Sequence, residues 1–408
     1  MQADLKDSIK NTSAGKEAER ILRACVHCGF CTATCPTYRL LGDELDGPRG
    51  RIYLIKSMLE GKPATAKTLQ HLDRCLTCRS CETTCPSGVE YGKLLDVGRH
   101  YAEQQVERSL FDKFFRGLLL RVLPYRKRFS LLLKLGRTFR PILPAALKKQ
   151  VPVAVKTTFT ISGKQHERKV LLLSGCVQPS LAPSINAATR LLLDRLGVAA
   201  IEIDAEQCCG ALGHHLNATG QARDFMRANI DAMTSIINEQ GIEAIISTAS
   251  GCGVHLKDYG YHFREDPEYF DKAQQVALLT KDIAEFIQDN DLSKLEFTRA
   301  DIPIAFQSPC TLQHGQKLTG VVEDILQRLG CRLVPVDNAY LCCGSAGVYS
   351  LLQTTISQQV KQEKLKTLLQ NDAELILTAN IGCLVHLDQS SPVPVRHWAE
   401  YIASRISE

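Results

Sequence analysis

Two short stretches gather thiols at a spacing that does recognisable chemistry. Residues 25–36 read CVHCGFCTATCP and residues 75–86 read CLTCRSCETTCP, so C-x2-C-x2-C-x3-C-P occurs twice, fifty residues apart. Three thiolates at that spacing wrap one face of an iron–sulfur cubane. The fourth, beside a chain-turning proline, reaches across to the other cluster. The pattern predicts two [4Fe-4S] clusters with exchanged fourth ligands: Cys25, Cys28 and Cys31 with Cys85, and Cys75, Cys78 and Cys81 with Cys35. Small or polar residues between the ligands (Gly29, Thr32, Thr34, Ser80, Thr83, Thr84) let backbone N–H groups point at sulfur, which raises the potential. Zinc ribbons also use C-x2-C pairs, but four-coordinate zinc is poorly matched by the third C-x2-C step and the C-P ending. His27, between two ligands, reads as a tuning or surface residue.

A second set of thiols repeats later in the chain. Cys176 to Cys208 and Cys310 to Cys342 are both 32 residues, and each leads into a Cys-Cys-Gly triplet, 208–210 and 342–344. Cys252 and Cys383 close the two halves, each followed by x-x-His-Leu, which supplies His255 and His386. Each half therefore offers four thiols: Cys176, Cys208, Cys209 and Cys252, then Cys310, Cys342, Cys343 and Cys383. Adjacent cysteines followed by glycine are a poor way to fill a core, so an additional iron–sulfur cluster or zinc is expected in at least one half. Cys331 has no counterpart and reads as a packing residue. His214, His215, His255, His314 and His386 lie near these cysteines. For each, a satisfied structural role stands beside a ligand or proton-relay role, the latter best motivated at the repeated His255 and His386.

The elements that must position these thiols are of two kinds. Short apolar runs at 170–173, 244–246, 304–306 and 375–377 each precede a small-residue turn and a cysteine, as strands do. Helical patterns at 184–196, 222–239, 321–329 and 356–369 alternate with them, which predicts α/β architecture with the thiols beyond the carboxyl ends of strands. Between the N-terminal motifs, residues 43–61 read as a loop entering a helix with Ile52, Leu54, Ile55, Met58 and Leu59 on one face. Arg49 and Arg51 at its start read as solvated charges, with docking or cluster tuning as the alternative. The expected fold is a multi-domain α+β chain. A helical two-cluster ferredoxin-like domain (1–107) and a basic amphipathic helical connector (108–165) lead to an α/β domain of two Cys-Cys-Gly halves (166–300 and 301–408).

The chain has 408 residues, is 44% hydrophobic and contains 17 cysteines, too sparse for a small disulfide scaffold. Neither a secretory leader nor an 18-residue apolar run is visible, so the thiols are expected in a reducing cytoplasm as ligands. Residues 108–150 hold twelve Lys/Arg and one acid, a local charge of +11 against +5 for the whole chain. Two readings stand: helices lying on an anionic membrane surface, or helices packed on the protein itself or a partner subunit. No nucleic-acid recognition motif accompanies the charge. No dinucleotide fingerprint, P-loop or Ser/His/Asp grouping is present, so no catalytic residue and no flavin site are assigned to this chain.

The stretch ILRACVHCGFCTATCPTYRLLGDELDGPRGRIYLIK at 21–56, the motif HLDRCLTCRSCETTCPSGV at 71–89, both Cys-Cys-Gly halves, TANIGC at 378–383 and VRHW at 395–398 resemble the iron–sulfur subunit of glycolate oxidase (glycolate dehydrogenase). The resemblance implies two flavin-type partner subunits that oxidise glycolate to glyoxylate. It also implies electron transfer through the eight N-terminal cysteines to a quinone-type acceptor at the cytoplasmic face of the inner membrane. The Cys-Cys-Gly halves are similar to those of heterodisulfide reductase subunits, although Cys252 and Cys383 lack a second cysteine two or three residues later. Two other readings stay open: the iron–sulfur subunit of a related glycerol-3-phosphate or lactate dehydrogenase complex, and a non-redox zinc-binding scaffold.

Overall fold

The four apolar runs that precede cysteines fold as parallel strands, and three further strands complete their sheets. This is seen in a computed structural model that describes residues 1–142, 144, 148, 151–152 and 159–406. Positions 143, 145–147, 149 and 150 of the basic segment lie outside the described residues. Contacts divide the chain into two units. One comprises Met1–Arg116 with Asn338–Lys364, the other Gly117–Asp337 with Leu365–Glu408.

The first unit is helical around its cysteine motifs. Helices Ser13–Ala24, Pro48–Leu59, Ala66–Asp73 and Tyr91–Gln105 each bury one apolar face in a common core. Ile52, Ile55, Met58 and Leu59 form the buried stripe of Pro48–Leu59, at the spacing of a single helical face. Proline at the first position starts that helix with its φ already set. Gly98 lets Tyr91–Gln105 approach closely, since a Cβ there would lie 2.5 Å from the Ile55 side chain. Thr12 and Thr65 cap the helices that follow them. The segment Asn338–Lys364 is tied into this unit by Tyr349, whose hydroxyl donates to the Arg74 carbonyl at 2.9 Å.

The second unit is α/β. Strands β1 (Arg168–Leu172), β2 (Val198–Ile201), β3 (Ala244–Ser247) and β4 (Thr280–Asp282) form a parallel sheet in the order β2-β1-β3-β4. Strands β5 (Ile304–Gln307), β6 (Leu375–Thr378) and β7 (Val395–His397) form a second parallel sheet in that order. Alternation along β1 and β3 sends Val170, Leu172, Ala244 and Ile246 into a core shared with Ile304, Phe306, Leu375 and Leu377 of the second sheet. Leu171 and Ile245 point the other way, onto helix Thr219–Gln240 through Met226, Ile230 and Met233. Strands buried on both faces read as continuous apolar runs, as parallel sheets require. Cys331 packs in the shared core.

Candidate iron–sulfur centres

Each N-terminal motif is shaped by backbone turned into the left-handed region at the second and fourth positions after its first cysteine. These are His27 and Gly29 in one motif, Thr77 and Arg79 in the other, with φ of 57°, 86°, 54° and 58°. Only glycine adopts this conformation freely, and a β-branched threonine there is strained. Such alternation turns successive N–H groups inward as an anion cradle. The Thr77 N–H donates to Cys75 Sγ at 3.4 Å. The short helical turns Phe30–Ala33 and Ser80–Thr83 then carry the third cysteine of each motif.

The thiols converge on two cavities. One, of about 430 Å³, is lined by Cys25, Cys28, Cys31 and Cys85, and the other, of about 310 Å³, by Cys35, Cys75, Cys78 and Cys81. Each cavity thus receives one of the crossed four-thiol sets expected from the spacing. Cys81 and Tyr91 also line the first, so the two cavities share a wall. Buried Tyr91 donates its hydroxyl to Cys75 Sγ at 3.7 Å. Burial, with the neighbouring Cys25 and Cys28, pushes the Cys31 thiol up to about 11. Burial and the facing Cys78 and Cys75 also hold the Cys81 thiol well above its ordinary value. Thiols so placed resist ionisation until a cationic centre is bound, and all 17 cysteines are free of disulfides. Donor type, number and cradle therefore fit a four-iron cluster in each cavity.

Arg51 is not a solvated helix-start charge: it is 1% exposed. The misreading has a tertiary cause, a buried carboxylate at Asp46 that draws it in. Arg51 donates to the His71 carbonyl (2.7 Å), to Thr37 Oγ1 (3.1 Å) and to Asp46 Oδ1 (3.5 Å). Arg74 (2.7 Å) and His71 (2.9 Å) complete the shell of that carboxylate. Burial works against the Arg51 charge, but the facing Tyr91, Cys75, Cys35 and Asp46 outweigh it and hold its pKa above the ordinary value. Arg49, by contrast, is partly exposed and paired with Glu44 at 2.6 Å.

In the first Cys-Cys-Gly half the four thiols also meet. Cys176 neighbours Cys208, Cys208 neighbours Cys209 and Cys209 neighbours Cys252, each pair close enough for the thiols to affect one another's ionisation. Cys176, Cys209 and Cys252 line a cavity of about 470 Å³ beyond the ends of β1 and β3. Cys252 sits in the first turn of helix Ser250–Lys257, which follows β3. Three residues that sequence reasoning missed hold this arrangement. Glu206 accepts from the N–H groups of Ser174 and Gly175 at 2.8 Å each. Asn229 donates to the Cys208 carbonyl (2.9 Å), and Tyr259 to the Cys209 carbonyl (2.8 Å). Buried His255 packs within 5.5 Å of His214 and 4.9 Å of His262, ring centre to ring centre.

The second half is divided between the units. Cys310 and Cys383 lie in the second unit, both buried, and Asn380 Nδ2 donates to Cys383 Sγ at 3.6 Å. Cys342 and Cys343, also buried, lie in the first, where the Gly344 N–H donates to Cys342 Sγ at 3.4 Å. Ser357 fixes the triplet by donating to the Gly344 carbonyl at 2.8 Å. His386 and His314 are buried, while His215 is exposed.

The basic segment folds as helices Leu110–Val122 and Arg126–Phe139. Leu110, Phe111 and Phe114 are 85%, 79% and 69% exposed on the first. Leu131, Leu132, Leu135 and Phe139 are exposed on the second. Arg108 and Arg116 bind Asp73, and Arg126 binds the Gly175 carbonyl, so part of the positive charge is used internally. Among the described residues no helix is long and apolar enough to cross a membrane.

These sites define an iron–sulfur protein with a two-cluster domain and paired cysteine-rich halves. Residues 21–89 match the 4Fe-4S dicluster domain family, and residues 170–257 and 304–388 match the cysteine-rich domain family. The chain is 48% identical over 408 residues to the glycolate oxidase iron-sulfur subunit of Escherichia coli (strain K12), covering 100% of both. It is 28% identical to the probable glycolate oxidase iron-sulfur subunit of Bacillus subtilis (strain 168), across 93% of this chain and 91% of that protein. Lactate utilization protein A of Geobacillus sp. (strain WCH70) is 29% identical across 58% of this chain and 100% of its own length. The chain belongs to the family of glycolate oxidase iron–sulfur subunits. Its fold is shared with a hypothetical protein from Helicobacter pylori, with a TM-score of 0.57 at 9% identity, covering 98% of this chain and 73% of that one.

The geometry at His27 generates a test of what the first motif demands. His27→Gly should retain cluster content and match or exceed wild-type thermal stability. His27→Val should destabilise the protein by about 1–3 kcal/mol and lower its visible cluster absorbance. Equal behaviour of the two variants would show that the left-handed turn does not matter.

Proposed function

We propose that this chain is the electron-transfer subunit of a glycolate-oxidising complex. It carries electrons from flavin-type partner subunits, which convert glycolate to glyoxylate, toward a quinone-type acceptor. The observation that carries the reading is the pair of crossed four-thiol sets in two cavities that share the Cys81–Tyr91 wall. In this reading Cys25, Cys28, Cys31 and Cys85 hold one [4Fe-4S] cluster, and Cys75, Cys78, Cys81 and Cys35 hold the other. When bound, such clusters pass single electrons without making or breaking bonds in a substrate. The chain's own residues supply the rest: thiolates that bind, inward N–H groups that stabilise sulfur charge, and a helical core that holds both sites rigid. The substrate does not touch this chain.

The four thiols Cys176, Cys208, Cys209 and Cys252 hold an additional metal centre, iron–sulfur or zinc. The exposed apolar and cationic faces of helices Leu110–Val122 and Arg126–Phe139 support peripheral contact with an anionic membrane, where a quinone would be reached.

Replacing Cys78 with Ser should abolish electron flow from glycolate to quinone in the assembled complex, while glycolate oxidation with an artificial dye accepting directly from the flavin subunit survives. Undiminished quinone reduction by that variant would rule out the relay. The intact complex should also co-sediment with anionic vesicles at low salt and release at high salt. Absence of any salt-sensitive binding would remove the membrane contact.

A further inference from the structure

Around the two cavities of the first unit, the fixed charges are distributed unequally. On the side of Cys35 and Cys75 stands Arg51, sealed from solvent, with Nη1 on Thr37 Oγ1. That hydroxyl oxygen lies 3.3 Å from Cys35 Sγ. Arg99 donates to the Cys75 carbonyl at 2.9 Å, and Arg74 to Asp46 Oδ2 at 2.7 Å. Arg79 also lines this cavity, and three carboxylates oppose these four guanidinium groups: buried Asp46, exposed Asp43 within 4.8 Å of it, and Glu82, which accepts from the Gly92 N–H at 2.6 Å. The surroundings therefore keep a net positive charge, and its Arg51 component is shielded by protein instead of water.

The other cavity is different. Its nearest guanidinium, Arg49, is partly exposed and paired with Glu44, with its Nη1 3.5 Å from the His27 carbonyl. The amino-terminal ammonium donates to the Cys25 carbonyl at 2.8 Å and to the Arg23 carbonyl at 3.2 Å, at a partly exposed position. Charges reached by water act through a high dielectric and are screened by salt, whereas a buried charge is screened much less.

We propose that the buried Arg51 guanidinium sets the order of potentials in this unit, making the cluster on Cys35, Cys75, Cys78 and Cys81 the more easily reduced of the two. This rests on the cluster assignment above. Reduction adds one electron and no proton to that site. The added negative charge is stabilised by a guanidinium that stays protonated at every accessible pH. Asp46 acts in the complementary sense, keeping Arg51 in place and offsetting part of its field. Arg51 is thus a positioning and tuning residue that acts through the thiolate shell, and the electron comes to rest on the cluster beside it.

The test is an anaerobic redox titration of the assembled complex followed by EPR. The two signals are assigned by their loss in Cys28→Ser and in Cys78→Ser. In the wild type the Cys78-dependent signal should have the higher potential. Arg51→Gln should lower that potential so that the reduced-to-oxidised ratio at fixed poise falls about tenfold, or about 59 mV for one electron. Asp46→Asn should move the same signal in the opposite direction, and the Cys28-dependent signal should stay in place in both variants. A merely structural role would not give opposite shifts. Loss of the Cys78-dependent signal in both variants, shifts of the same sign, or unchanged potentials with full iron content would each overturn the proposal. Absence of two four-iron signals in the wild type would instead refute the cluster assignment on which it rests.

Discussion

Gathering four thiols into one small cavity is unfavourable unless something cationic holds them, and the first unit is organised around that constraint. Burial and thiol neighbours push Cys31 and Cys81 away from the ionised state that binds metal. The bound centre must therefore supply the compensating charge, and the backbone assists by turning N–H groups inward at Thr77 and its equivalents. Strained left-handed residues are tolerable because the flanking helices are locked by Ile21, Leu22, Ile55, Leu59, Leu72 and Leu94, all at most 1% exposed. Packing, in this sense, stabilises a backbone geometry that the sequence would not otherwise adopt.

Exchange of the fourth cysteine has a further consequence. Cys35 and Cys85 each follow one motif and reach into the other cavity, so neither site is complete without both stretches of chain. The helix Pro48–Leu59 lies between the motifs in sequence and delivers Arg51 beside Cys35 and Cys75. Core, cluster sites and tuning charge thus depend on one helix. The first Cys-Cys-Gly half applies a related solution on a sheet. Its thiols sit beyond β1 and β3, and the turns that carry them are held by hydrogen bonds that Asn229 and Tyr259 donate and that Glu206 accepts.

Much of this was legible in sequence because both cysteine patterns are local. The apolar runs of β1, β3, β5 and β6 stood out as well, three of the four being interior to the sheets. The strands that sequence patterns did not reveal, β2, β4 and β7, are all at sheet edges. An edge strand needs less apolar character, and VAAI, TKD and VRH offer little. Arg51 was misread for a different reason. Beside Pro48, Gly50 and Arg49 it has the composition of a solvated helix start, and only Asp46 and the His71 carbonyl, brought in by folding, make its burial favourable. Glu206 and Asn229 were invisible on the same ground: a carboxylate or amide that accepts from or donates to a distant turn has no local signature.

The central claim, two four-iron clusters on crossed thiol sets, is tested most directly by counting iron, acid-labile sulfide and zinc per chain in the anaerobically purified complex. The account predicts at least about eight iron and eight sulfide per chain, with any excess metal assigned to the Cys-Cys-Gly sites. Fewer than about eight iron, with zinc making up the metal content and little sulfide, would contradict it.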